Sequence, residues 1–281
     1  MKYILLIIII HYTINIYSFI NLHKLSTKSN KWNIIDDNNR KIILKKSNTI
    51  YNNTNATLFI DEFNNYKKIL ISPGGLNGLY MLGISHYIIK HYELNKCIFS
   101  GASAGAWIAL ILSYNNDDID DFIYNILHNS DILNNKSLKQ IQKSLKTHLL
   151  NNYKSNNFNL NKLFIGVTQY DTLDFYTNIY SDFIDLEDAI DCCIASSQIP
   201  LITNDLIIEY NNKISLDGGF SKHPYIPYNN KPYIITPDIW NNKPYSMFDI
   251  HNSNILELYK KGYSDSIINI DDLNEFFNLY M

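Results

Sequence analysis

The chain has 281 residues, 46% of them hydrophobic, and a formal net charge of −3. That balance excludes a disordered chain and provides for a large domain with a substantial core. It also argues against a nucleic-acid partner, because no basic stripe with interleaved aromatics is present.

The opening "MKYILLIIIIHYTINIYSF" carries one lysine and an apolar run from Tyr3 to Ile10. A bilayer span needs about 20 such residues, so the run is too short to cross one. Residues 1–18 read as a secretory signal, cut after Ser18 with Ile16 at the −3 position. An uncleaved signal anchor and a buried strand are the alternatives. The signal reading places the protein in the secretory pathway, secreted or membrane-associated. The sequences "NNT", holding Asn53-Thr54, and "NAT", starting at Asn55, then match glycosylation acceptors.

Residues 19–55 are polar and weakly patterned, a linker with one strand expected at "KIILKK". Residues 56–281 form the expected catalytic domain. "ATLFID" and "KKILISPGG" read as strands ending in turn residues. "LYMLGISHYIIKHYEL" has helical spacing and starts just after Gly78. "KCIFS" is a short strand, followed by a buried helix over "SAGAWIALILSYN". Helices are expected over much of 117–151. "KLFIGVTQYD" and "FYTNIYS" follow as strands, and "LEDAIDCCIASSQI" as a helix stopped by Pro200. A hairpin is expected across "IIEYNNKISLDGG" with Asn211-Asn212 at its turn, then a last strand at "KPYIITP". "LNEFFNLYM" reads as a short amphipathic helix closing the core. Strands alternating with helices predict an α/β fold, a three-layer α/β/α sandwich with a mostly parallel central sheet.

Three stretches carry chemistry. Gly101-Ala102-Ser103-Ala104-Gly105 is a G-x-S-x-G match between a strand and a helix, the context a nucleophile elbow requires. The turn is sharp, so Gly101, Ala104 and Gly105 must be small for Ser103 to stand clear of the backbone. Upstream, "SPGGLNGLYMLG" also joins a strand to a helix. Gly74, Gly75, Leu76 and Gly78 can turn backbone N–H groups toward an oxyanion. No Walker pattern follows, and Pro73 breaks the dinucleotide pattern. "LDGGF" places Asp217 at a strand end, followed by Gly218 and Gly219. A desolvated aspartate there can accept the serine proton near neutral pH.

Glycine loop, elbow and D-G-G motif together resemble the patatin-like phospholipase family, over roughly residues 66–236. "IASSQIPLI" resembles that family's Ala-Ser-x-x-x-Pro segment, and Tyr80 in "GLYMLG" matches its triglyceride-lipase and adiponutrin branch. The resemblance implies a lipid acyl hydrolase with a Ser–Asp dyad: Ser103 as nucleophile, Asp217 as base, and the backbone around Gly74, Gly75 and Leu76 as oxyanion hole. It implies phospholipid or acylglycerol substrates at a membrane or lipid surface, and no cofactor. Two positions depart from the family pattern. Pro73 stands for its usual first glycine, and Asn77 for the Arg or Lys of plant and bacterial members.

Other readings remain at this stage. Ser103, Asp217 and His223 or His251 satisfy the chain order of a Ser-His-Asp α/β-hydrolase. An inactive lipid- or protein-binding relative is a second. Asp117, Asp118, Asp120 and Asp121 lack the ligand spacing of a calcium loop and suit a helix N-terminus instead. Cys97, Cys192 and Cys193 suit neither a disulfide framework nor a zinc site, and read as buried apolar residues.

Overall fold

The computed structural model describes residues 40–52, 63, 65–133, 137–171, 174–200, 203, 207–244 and 255–278. These lie within the compact unit Ile34–Met281. The signal reading of 1–18, Asn53-Thr54 of "NNT", the acceptor Asn55, the strand expected at "ATLFID", and His251 lie outside the described residues.

Nine strands are described: β1 (Arg40–Leu44), β2 (Thr49–Asn52), β3 (Lys67–Ile71), β4 (Cys97–Gly101), β5 (Leu163–Asp171), β6 (Asp174–Ser181), β7 (Ile208–Tyr210), β8 (Lys213–Leu216) and β9 (Tyr233–Ile235). They form one sheet in the order β2-β1-β6-β5-β4-β3-β9, with β8 on β5 and β7 on β8. Strands β9, β3, β4 and β5 are all parallel, and so is the β1–β6 pair. The β5–β6 junction is antiparallel. The fold is the expected α/β class, a mostly parallel mixed sheet with flanking helices of the three-layer α/β/α kind.

Strand alternation divides the core. Ile69, Ile71, Phe99, Ile165 and Val167 face the larger cluster, together with the helices. The intervening Leu70, Ile98 and Phe164 join Ile42, Ile179 and Ile226 in a smaller cluster. Period-two burial of this kind is the mark of a strand covered on both faces. Beside a four-residue turn of helix at Ser130–Leu133, the helices are α1 (Gly78–His91), α2 (Ala104–Leu112), α3 (Ile119–Leu127), α4 (Leu138–Asn152), α5 (Leu186–Ser196), α6 (Ile255–Ile268) and α7 (Ile270–Asn278).

Three features differ from the sequence reading or extend it. Residues 40–52 contribute not a lone strand in a linker but a hairpin, β1–β2, which joins the sheet alongside β6. The β7–β8 hairpin turns at Asn211 and Asn212, both at positive φ, 54° and 57°. Two asparagines serve the same tight turn that Asn-Gly usually makes. Helix α6 had no signal in the sequence, and Gly262 at its middle argues against a helix there. In the fold, α6 crosses α1 backbone to backbone. A Cβ on Gly262 would lie 1.9 Å from the Tyr80 carbonyl oxygen. Tertiary packing here outweighs the helix cost of glycine, about 1 kcal/mol.

Candidate active site

Strand β5 acts as a ruler for the site. At the end of β4, Gly101 lies opposite Ile165. At the end of β8, which runs the other way, Leu216 lies opposite Thr168. One chain continues forward and the other back, so the residues that follow converge on the middle of β5. Those residues are Ser103 and Asp217. They are 114 apart in sequence, yet the Ser103 hydroxyl donates to Asp217 Oδ2 at 2.6 Å.

Ser103 sits at φ 55°, ψ −128°, a strained conformation for any residue with a side chain. The surrounding glycines are forced by contact. A Cβ on Gly101 would lie 2.0 Å from the Gly105 carbonyl oxygen, and one on Gly105 2.2 Å from that of Ile71. The elbow is held by the serine of the Ala-Ser-x-x-x-Pro segment, to which the sequence assigned no role. Ser196, fully buried at the end of α5, accepts the Ser103 N–H at 2.8 Å and passes its own hydrogen to the Gly166 carbonyl at 2.7 Å.

Asp217 is 4% exposed. Its N–H donates to the Gln198 carbonyl at 2.7 Å, and its Oδ1 accepts the Gly219 N–H at 2.7 Å. Burial pushes the carboxyl up from its ordinary value to about 7, against the opposing pull of hydrogen bonds from Ser103 and Gly219. The carboxylate therefore has the proton affinity of an ordinary histidine. In a triad, an imidazole would stand between Ser103 and Asp217. A direct 2.6 Å bond leaves no room for one. His223 does not line the cavity at Ser103.

The glycine loop leaves β3 at Ile71 and makes a single 3-10 turn, Gly75–Asn77, before α1. Gly75 has φ 55°. The opening N–H groups of a helical turn have no partner within it, which leaves those of Gly75 and Leu76 available to a ligand. The two departures from the family pattern have structural roles. The Pro73 ring packs on Gly219, where a Cβ would lie 3.0 Å from Pro73 Cβ. Buried Asn77 donates from Nδ2 to the Gly74 carbonyl at 3.3 Å, clipping the loop in place of a charged side chain.

Gly75, Leu76, Gly78 and Ser103 open onto one cavity of about 180 Å³. Its walls are almost wholly apolar, built from α1, α2 and α4 by residues such as Leu79, Leu82, Ile108, Ile141 and Leu145. Trp107 also lines it, and its indole N–H donates to Ser197 Oγ at 3.1 Å. Ser197 in turn donates to the Cys193 carbonyl at 2.8 Å. The "IASSQIPLI" stretch thus braces both the elbow and the cavity wall. Its resemblance marked the segment, but nothing in the sequence assigned these bonds.

The remaining candidates have other roles. Asp120 bonds Lys90 at 2.7 Å and His86 at 2.9 Å. The three cysteines are buried and free, and burial raises the Cys97 thiol to about 11. Among the described residues no group of three His, Cys, Asp or Glu could hold a metal. Among them, too, no helix is long and apolar enough to cross a membrane.

A family model described as patatin-like phospholipase matches residues 69–227. That range contains the glycine loop, Ser103 and Asp217. No curated protein matches the sequence. Among solved structures, VipD from Legionella pneumophila is similar at 14% identity and a TM-score of 0.32. The match covers 76% of this chain and 55% of that one, so the chain spans little more than half of VipD's length.

Proposed function

The chain belongs to the patatin-like phospholipase family, and from that premise we propose that it is a phospholipase A-type lipid acyl hydrolase working through Ser103 and Asp217. The observation that carries this reading is the 2.6 Å bond between a strained serine and a buried carboxylate. Asp217 takes the Ser103 proton as the oxygen attacks the ester carbonyl. The oxyanion forms against the N–H groups of Gly75 and Leu76, with Gly74 and Gly78 shaping that loop. Such a donor typically supplies about 3 to 4 kcal/mol in the transition state.

Protonated Asp217 then gives its proton to the departing alcohol, leaving an acyl group on Ser103. Water attacks that ester and loses a proton to Asp217, which passes it to the Ser103 oxygen as the acyl bond breaks and the fatty acid leaves. The apolar cavity beside Ser103 is suited to the acyl chain and excludes water around it. The substrate is a phospholipid or acylglycerol met at a membrane or lipid surface, with no cofactor. The signal reading of residues 1–18 would place that surface in the secretory pathway or outside the cell.

A fluorophosphonate probe tests the nucleophile without knowledge of the substrate. The wild type should label covalently, with labelling lost in Ser103→Ala and retained in His223→Ala. A folded wild-type protein that does not label would leave a lipid- or protein-binding member of the family instead.

A further inference from the structure

A second cavity, of about 840 Å³, opens where β3 and β4 begin, at the far end of the sheet from Ser103. The five residues of β4, at about 3.3 Å each, put roughly 16 Å of strand between the two sites. The first cavity is apolar, whereas the second is basic. Lys67, Lys68, Lys96 and Lys231 line it, with His91 and, among the described residues, a single carboxylate, Glu93.

Lys67 donates to the Phe277 carbonyl oxygen. Lys90, Lys146, Lys213 and Lys261 each lie against an aspartate. Lys68 is only 3% exposed, yet its ammonium meets the carbonyl oxygens of Phe63 and Tyr66 at 3.2 and 3.4 Å. Lys162, just behind the wall, donates to the Asn95 carbonyl at 2.8 Å. Among the described residues, no carboxylate lies within ion-pair distance of Lys68, Lys96, Lys162 or Lys231. Burial also lowers the proton affinity of Lys67, Lys68 and Lys162. A buried ammonium is costly without a counter-charge, and carbonyl dipoles are a weak substitute.

We propose that this basic cavity binds an anion bearing a phosphomonoester. Its volume falls in the range of small-molecule sites, about 300 to 1,000 Å³. A phosphomonoester brings nearly two negative charges and three acceptor oxygens, which suits a cavity lined by several lysines better than one carboxylate does. The rings of Tyr66, Tyr92 and Phe276 on the same wall offer contact to the organic part. The group can arrive on a soluble molecule or as a lipid headgroup.

Calorimetry of the full chain with pyrophosphate, and co-sedimentation with phosphatidylcholine vesicles containing phosphatidic acid, test the site and separate the two sources. Lys96 and Lys231 are exposed, so Lys96→Glu/Lys231→Glu should fold and should keep fluorophosphonate labelling of Ser103. Saturable binding of pyrophosphate, weakened about tenfold or more in the double variant, would support a soluble ligand. Vesicle binding lost in the same variant and competed by pyrophosphate would support the headgroup. Ser103→Ala should leave both unchanged, which keeps the outcome independent of the hydrolase reading. Absence of saturable binding in both assays, or binding that the double variant leaves intact, would overturn the proposal.

Discussion

Asp217→Asn should stabilise the protein while destroying its activity, and the size of the gain follows from the site. Burial holds the folded carboxyl near 7, against an ordinary value of 3.8. Between those values the folded state binds a proton that the unfolded chain has released. Stability therefore falls as pH rises from about 4 to about 7, by about 1.4 kcal/mol per pH unit. Above about pH 7 the full shift is lost, about 4 kcal/mol. Asparagine has the same shape and no charge. Its oxygen can accept the Gly219 N–H, and its NH₂ can meet Ser103 Oγ. Urea unfolding of both proteins from pH 4 to 8 measures the difference. The variant should gain steadily on the wild type across that range and then level off, while ester hydrolysis drops by about 10² to 10⁴. A difference independent of pH would mean that Asp217 titrates normally, and its assignment as the base would fail with it.

Wild-type hydrolysis should rise with pH through an apparent value near 7, the point at which Asp217 becomes a free base; a rate flat from pH 5 to 8 would contradict this. Ser196→Ala should remove the acceptor of the buried Ser103 N–H and cost about 1 to 3 kcal/mol in thermal unfolding. It should lower kcat more than it raises KM, because the elbow rather than the acyl cavity is disturbed. Gly105→Ala should cost about 3 kcal/mol or more, or prevent folding, since its Cβ would overlap the Ile71 carbonyl. Ile141→Trp, on the cavity wall at α4, should shift preference toward short acyl esters without loss of fluorophosphonate labelling, as read from rates on a chain-length series.

The site was more legible than the scaffold that positions it. Gly101, Ser103, Gly105 and Asp217 are chosen by local backbone geometry, which leaves a short-range mark in the sequence. The partners of those residues are chosen by long-range register, which does not. Ser196 is marked only as part of a family-like segment, with no role until β5 brings Gly166 beneath it. Pro73 and Asn77 look like defects in a family pattern, yet one packs on Gly219 and the other clips Gly74. Helix α6 was missed because the glycine that lets it approach Tyr80 is also the residue that argues against a helix. Of the β1–β2 hairpin only β1 was expected, because its neighbours in sequence are polar, while its strand partner β6 is more than 130 residues on.

The proposed dyad would dispense with histidine because its aspartate is placed where histidine's chemistry becomes available to it. An exposed aspartate near pH 4 is too weak a base to draw a proton from a serine at neutral pH. Asp217 becomes a better one only by losing water, and it is buried where β8 and β4 both end against the middle of β5. Desolvation alone would carry it too far, toward a carboxylic acid that stays protonated. The Gly219 N–H on Oδ1 and the Ser103 O–H on Oδ2 both favour the charged form and limit the rise. Gly219 thus has two jobs, since its bare Cα admits Pro73 while its N–H steadies the carboxylate. Replacing Gly219 by glycolic acid, which turns its amide into an ester, would remove that N–H without adding an atom against Pro73 or Asp217, leaving the carboxylate buried. The pH–rate profile should then move to higher pH, and a profile that stays in place would mean that burial alone sets the base.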